Sequence, residues 1–128
     1  MTSHHLLVLG NPAARHLKLL SRLPAGTSVT VTSDAGVAAA QAARTTAVLC
    51  DMGQADVLEG LLGQAPQLRW VHSLSAGVET LLFPGMLAHP LTLTNGRGMF
   101  KRALAEFVIA GCLYFAKDMR RLRASQAK

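Results

Sequence analysis

Short apolar runs alternate with polar, glycine- and proline-containing breaks along the first 95 residues. Residues 6–10 (LLVLG) read as a buried first strand. Pro12 opens a helical stretch with Leu17, Leu20 and Leu23 on one side. A proline is tolerated in a first helical turn, where its missing N–H costs nothing. Residues 24–26 close that stretch, and the β-branched residues 29–32 predict a second strand. Ser33 and Asp34 are placed to cap an alanine-rich helix over 35–43, and 45–50 is the third strand. A helix follows over 55–62, with Asp56 as its candidate cap, and stops at 63–66. Residues 69–73 are the fourth strand, 77–87 hold one or two helical turns broken by Pro84, and 91–94 are the fifth strand. Over 99–122, Leu104, Phe107, Val108, Gly111, Phe115, Met119 and Leu122 recur at helical spacing and predict one long helix.

Short strands alternating with helices imply parallel pairing through right-handed crossovers. The expected fold is α/β: a flavodoxin-like open parallel five-stranded sheet of order 2-1-3-4-5, helices on both faces, and a long C-terminal helix. Residues 1–98 form the sheet domain in this reading, and 99–128 a hinge with a helix belonging to something else.

Composition narrows the function classes. At 128 residues, 50% apolar and 16% charged, the chain fits one small folded domain and not a disordered tail. The net charge of +6 is unevenly placed. Residues 1–96 carry five bases and five acids, whereas 97–128 carry eight bases and two acids, so the whole excess lies in the last quarter. The cluster Lys117, Arg120, Arg121, Arg123 and Lys128 raises nucleic-acid binding, but no recognition motif or interleaved aromatic platform accompanies it. Cations also suit a helix C-terminus for dipole reasons. The opening MTSHHLLVLG lacks the basic flank and the length of a signal core. The most apolar segment, 103–116, is 14 residues with Glu106 inside it, against the roughly 20 a membrane span needs. A cytoplasmic, non-membrane protein is expected. Cys50 and Cys112 read as ordinary buried thiols. His4 and His5, though adjacent, give no metal spacing, and His16 and His89 read as surface or cap residues.

In such a sheet, ligands sit at loops following the C-terminal strand ends. The fourth of these, SLSAGVE over 73–79, is rich in small residues. Its N–H groups could converge on an anion, or Gly77 could serve turn geometry alone. The fifth, Asn95-Gly96-Arg97-Gly98, reads as an anion clamp or as a hinge. Residues 50–53 (CDMG) would form another wall, with Asp51 either functional or a turn former. Other sites fail on inspection. No GxGxxG follows a strand, no hydroxyl-rich loop follows the first strand, and no serine lies in a GxSxG elbow that would join His72, Ser73 and Asp51 into a hydrolase set.

Three segments, LRWVHSLSAGVETLL, LTLTNGRG and LAEFVIAGCLYFAKDMRRLRASQ, taken in this order and spacing, resemble the N-terminal part of the D-isomer-specific 2-hydroxyacid dehydrogenases, nearest the glyoxylate and hydroxypyruvate reductase-like branch. The resemblance is strong over 66–126 and weaker over 1–65. It implies a two-domain enzyme using NAD or NADP on small 2-keto or 2-hydroxy acids. It implies that Ser75, Ala76, Gly77 and Val78 hold the substrate carboxylate through backbone N–H groups, and that Met52 and Gly53 line the cleft. It implies that Asn95, Gly96, Arg97 and Gly98 form the hinge near the cofactor, with Gly96 replacing a commoner alanine. It also implies that the helix carrying Glu106 belongs to the cofactor domain, near the dimer interface. The sequence ends at Gln126-Ala127-Lys128, before the family's glycine-rich turn, substrate-binding Arg and Glu–His acid/base pair. The expectation is therefore a truncated member with no catalytic residue, no metal and no tightly held cofactor of its own. Residues 100–122 would contact a second copy or the missing domain. A non-catalytic α/β domain that binds a carboxylate, or dimerises through its long helix, is the other reading.

Overall fold

A computed structural model describes residues 4–127. The first three residues and Lys128, with the part of the N-terminal and basic-cluster readings that falls on them, lie outside the described residues. The chain divides into two compact units, Met1–Arg97 and Gly98–Lys128.

The first unit is a parallel five-stranded sheet of order β2-β1-β3-β4-β5, as the alternation predicts. The strands are β1 (His4–Leu9), β2 (Thr27–Thr32), β3 (Ala47–Cys50), β4 (Trp70–Ser73) and β5 (Thr92–Asn95). Between them lie α1 (Ala35–Gln41), α2 (Ala55–Leu62) and α3 (Pro84–Ala88), with 3₁₀ segments at Arg15–Arg22, Ala42–Arg44 and Glu79–Leu81. The register sets Leu7, Val48, Val71 and Leu93 in one row, and Leu9, Cys50, Ser73 and Asn95 in the next on the same face. Ala38, Ala42, Leu58, Leu61, Leu62 and Met86 close over the apolar members of these rows as a single core. Burying side chains of this size contributes about 1.5–3 kcal/mol each. The other face is thinner. Val8 is buried there, but Val29 and Trp70 are exposed, and the Arg15–Arg22 segment buries none of its residues.

Several local expectations change. Pro12 does not open an α-helix: Ala14 N–H donates to Asn11 O, and Ala13 N–H donates to Asn11 Oδ1. This is a turn with proline at its second position, and the helical stretch that follows is 3₁₀. Asp34 caps α1 as expected, accepting from Val37 N–H at 2.8 Å. Asp56 does not cap α2; Gln54 holds that position with no side-chain bond, and Asp56 lies inside the first turn. Pro84 begins α3 as much as it ends the turn before it.

In the second unit, the long helix is α4 (Lys101–Ala116), and it stops short of 122. Asp118 takes φ 44°, the sole positive φ outside glycine among the described residues, and its carboxylate accepts from Arg121 N–H to start α5 (Met119–Gln126). Every residue of α4 except Gly111 is exposed. Cys112 is thus exposed, contrary to the buried thiol expected, while Cys50 is buried. No helix among the described residues is long and apolar enough to cross a membrane.

His5 is buried at 2% exposure although its position reads as polar. Nδ1 lies 3.1 Å from Thr45 Oγ1 and Nε2 3.1 Å from Thr30 Oγ1. Thr45 spends its own proton on Gln41 O, so it accepts from Nδ1–H, and Nε2 accepts from Thr30. Burial, reinforced by nearby Arg44, lowers the imidazole pKa below its ordinary 6.5. The unfolded chain therefore binds the proton first, and stability is full above about pH 6.5 and falls below it. Denaturant unfolding at pH 5.5 and pH 8 is expected to show a smaller loss on acidification for His5→Phe than for the wild type. Equal losses would remove His5 as a source of the pH dependence.

Candidate functional site

The top row of the sheet, Thr32, Leu9, Cys50, Ser73 and Asn95, ends all five strands at one level. The loops that follow therefore emerge together. Three bonds continue the ladder by one step: Gly10 N–H to Thr32 O, Asp51 N–H to Leu9 O and Leu74 N–H to Cys50 O, each at 2.9 Å. The same pattern would hand Gly96 N–H to Ser73 O. It goes instead to Ser75 O, at 2.9 Å, so the chain after β4 folds back along the extension of β5.

That fold-back is built from small polar side chains. Ser73, 3% exposed, lies with its Oγ 2.9 Å from Ser75 Oγ and accepts from Ser75 N–H. Ser75 Oγ donates to Gly77 O. Asn95 Nδ2 donates to Ala76 O at 2.7 Å. The carbonyls of Ser75, Ala76 and Gly77 are therefore each held by a donor. In a trans peptide the N–H points opposite its C=O, so the N–H groups of Ala76, Gly77 and Val78 face away. They find no acceptor among the described residues. A Cβ at Gly77 would collide with the Glu79 carboxylate, which lies on that side of the turn. Outward peptide N–H groups in succession suit an anion.

The other predicted residues surround this turn less closely. Asp51 is a turn former: its Oδ1 accepts from Met52 N–H and its carbonyl from Gln54 N–H. Met52 is 80% exposed, and Gly53, at φ +85°, uses a conformation that a side chain would strain. Gly98, at φ +87°, does the same where the second unit begins. Asn95 Oδ1 accepts a long bond from Arg97 N–H at 3.4 Å. His72 stands one position before Ser73, in the row of Val8 and Leu49, on the thin side of the sheet. Its Nδ1 pairs with Thr94 Oγ1, which also accepts from Trp70 Nε1. His72, Ser73 and Asp51 share no hydrogen bond, so no hydrolase set forms. Sequence reasoning found the turn, Ser73 included, but missed that Ser73 fixes Ser75 and that Asn95 ties Ala76 O. An open groove of about 440 Å³ lies at the opposite end of the strands, where His4, Thr27, Ala47 and Trp70 begin them. No group of three or more metal-ligating side chains occurs among the described residues.

The fold matches solved structures. A D-isomer specific 2-hydroxyacid dehydrogenase family protein from Aeromonas salmonicida superposes with TM-score 0.74 at 23% identity, over 98% of this chain and 39% of that one. A second protein so described, from Klebsiella pneumoniae, gives 0.65 at 21%, over 99% and 39%. D-lactate dehydrogenase from Aquifex aeolicus, solved with NAD and lactic acid, gives 0.61 at 15%, over 98% and 37%. The chain thus spans about two fifths of the length of these proteins and shares the fold of that part. No family model matches it, and no curated protein matches it.

Burial, with Asp51 beside it, pushes the Cys50 thiol up to about 11, which disfavours the thiolate. At pH 8 about one molecule in a thousand would carry the thiolate. Thiol titration at pH 8 is expected to modify Cys112 in the folded protein and Cys50 after denaturation alone. Fast labelling of Cys50 in the folded state would contradict the burial described.

Proposed function

We propose that this chain is the N-terminal part of a D-isomer-specific 2-hydroxyacid dehydrogenase. In this reading, residues 4–97 supply one side of the substrate site and α4 is the first helix of the NAD(P)-binding domain. The observation that carries the proposal is the outward-facing N–H series of Ala76, Gly77 and Val78. It lies at the ligand end of a sheet with the fold of such enzymes. The substrate class is a small 2-keto or 2-hydroxy acid, whose carboxylate receives these donors. Charge-assisted bonds to backbone N–H groups are the stronger kind, and a substrate held by its carboxylate presents its carbonyl carbon in a fixed place.

The full reaction moves a hydride between a nicotinamide and that carbon, with a proton donor and a carbonyl-polarising cation at hand. The chain has no glycine-rich turn after a strand to hold a dinucleotide. No step of hydride transfer is therefore assigned to its residues; their role is to bind and orient. Two measurements test this. Glyoxylate or hydroxypyruvate titrated into the ¹⁵N-labelled protein is expected to shift the amide signals of Ala76, Gly77 and Val78 at millimolar concentrations. The same 128 residues are expected to oxidise neither NADH nor NADPH with these acids. Shifts no different from those with chloride would sink the carboxylate assignment, and measurable turnover would sink the division of labour.

The exposed apolar residues of α4 support association. Leu104, Phe107, Val108 and Phe115 are each more than 60% exposed. An apolar patch of this kind marks an interaction surface, and we assign it to a second copy of the chain. Light scattering is expected to report a dimer, converted to monomer by Phe107→Glu with Phe115→Glu. A well-folded wild-type monomer would count against the assignment.

A further inference from the structure

We infer that Asn95 and Ser75 are positioning residues for the anion turn: they hold its carbonyls inward so that its N–H groups are presented outward before any ligand arrives. The inference rests on the carboxylate reading above and adds what makes the turn competent.

Three successive peptide units are each fixed from the carbonyl side by a different donor. Gly96 N–H holds Ser75 O, Asn95 Nδ2 holds Ala76 O, and Ser75 Oγ holds Gly77 O. The first two donors come from the end of β5, 19 residues or more further along the chain. Ser73, buried beneath, fixes Ser75 in turn through its Oγ. Release of a carbonyl frees its whole peptide to rotate, since N–H and C=O turn as one plane. A released N–H then spends part of its time away from the ligand, and apparent affinity falls by the fraction of competent molecules. Asn95 carries a second consequence. It precedes the boundary at Arg97–Gly98 by two residues, so the same side chain that orders the turn belongs to the segment leading into the second unit.

The donor function is separable from the rest of the side chain. Asn95→Leu keeps approximate shape and loses the donor. Asn95→Gln restores a donor on a longer arm. Ser75→Ala removes the bond to Gly77 O from another direction. The experiment is glyoxylate titration of each variant of the 128-residue chain by amide shifts, with denaturant midpoints measured alongside. A net hydrogen bond is worth about 0.5–1.5 kcal/mol, which sets the expected loss at about two- to thirteenfold in Kd for Asn95→Leu and for Ser75→Ala. Asn95→Gln is expected to recover part of it, and the midpoints report that Ser75→Ala, which also takes the hydroxyl partner from buried Ser73, and Asn95→Gln are folded at the titration conditions. If wild type and variants bind equally, the positioning role is overturned while the carboxylate reading stands. If the wild type does not bind, both are overturned. If Asn95→Leu does not fold, Ser75→Ala decides: unchanged affinity overturns the inference, and weakened affinity in a protein still folded at the titration conditions supports it.

Discussion

One displaced hydrogen bond organises the ligand end of this molecule. Every other strand junction passes its next N–H to the neighbouring strand's terminal carbonyl, at Thr32, Leu9 and Cys50. At β5 the donor Gly96 reaches past Ser73 to Ser75. Because parallel pairing spaces its bonds evenly, a skip of two residues means that the chain after β4 is folded over the strand end rather than continuing away from it. The turn thereby comes within reach of Asn95, and its small side chains become a requirement. Ala76 and Gly77 place no bulk over the exposed N–H groups, and the two serines supply donors and acceptors that a tight fold-back would otherwise leave unmet. The turn is hydrogen-bonded on its carbonyl side, no side chain larger than a methyl group stands at 76 and 77, and the Glu79 carboxylate lies against Gly77.

The extent to which this was legible in sequence follows from the range of the interactions. Strands with continuous apolar runs, such as 45–50, and the helix over 55–62 were readable because burial on the core face imposes a local pattern. β1 extends back to His4 because His5 satisfies both ring nitrogens with threonines 25 and 40 residues away, and a periodicity argument counts such a histidine as surface. The break at Asp118 is hidden for another reason. Polarity continues across it, and only its left-handed backbone, held by the bond to Arg121 N–H, ends one helix and starts the next. The position of the turn after β4 was visible as a run of small residues after a strand. Its competence was not, because the bond that orients Ala76 spans 19 residues.

Two apolar surfaces remain after the core is closed, and they differ in kind. Parallel sheets are ordinarily covered on both faces. In the first unit the face opposite α1–α3 leaves Val29 and Trp70 in solvent. Trp70 is not free there, since its indole N–H is committed to Thr94, so that face is ordered without being covered. In the second unit α4 is exposed around almost its whole circumference. A helix apolar on more than one side gains stability by being enclosed, and 16 residues with no buried member do not enclose themselves.

The charge distribution takes its meaning from the same division. The first unit carries six bases and five acids, so in the reading proposed above its turn would attract an anion by oriented peptide dipoles rather than by a field of cations, and the Glu79 carboxylate lies against Gly77. The cations of the second unit are arranged otherwise. Arg102 pairs with Glu106 one turn along an exposed helix, a contact of little energetic weight. Arg120, Arg121 and Arg123 crowd a helix only eight residues long. Neither group faces a built pocket. The first unit therefore contributes +1 of the net +6 and the second +5, so the excess sits on the exposed helices and not on the sheet whose turn leaves its N–H groups unpaired among the described residues.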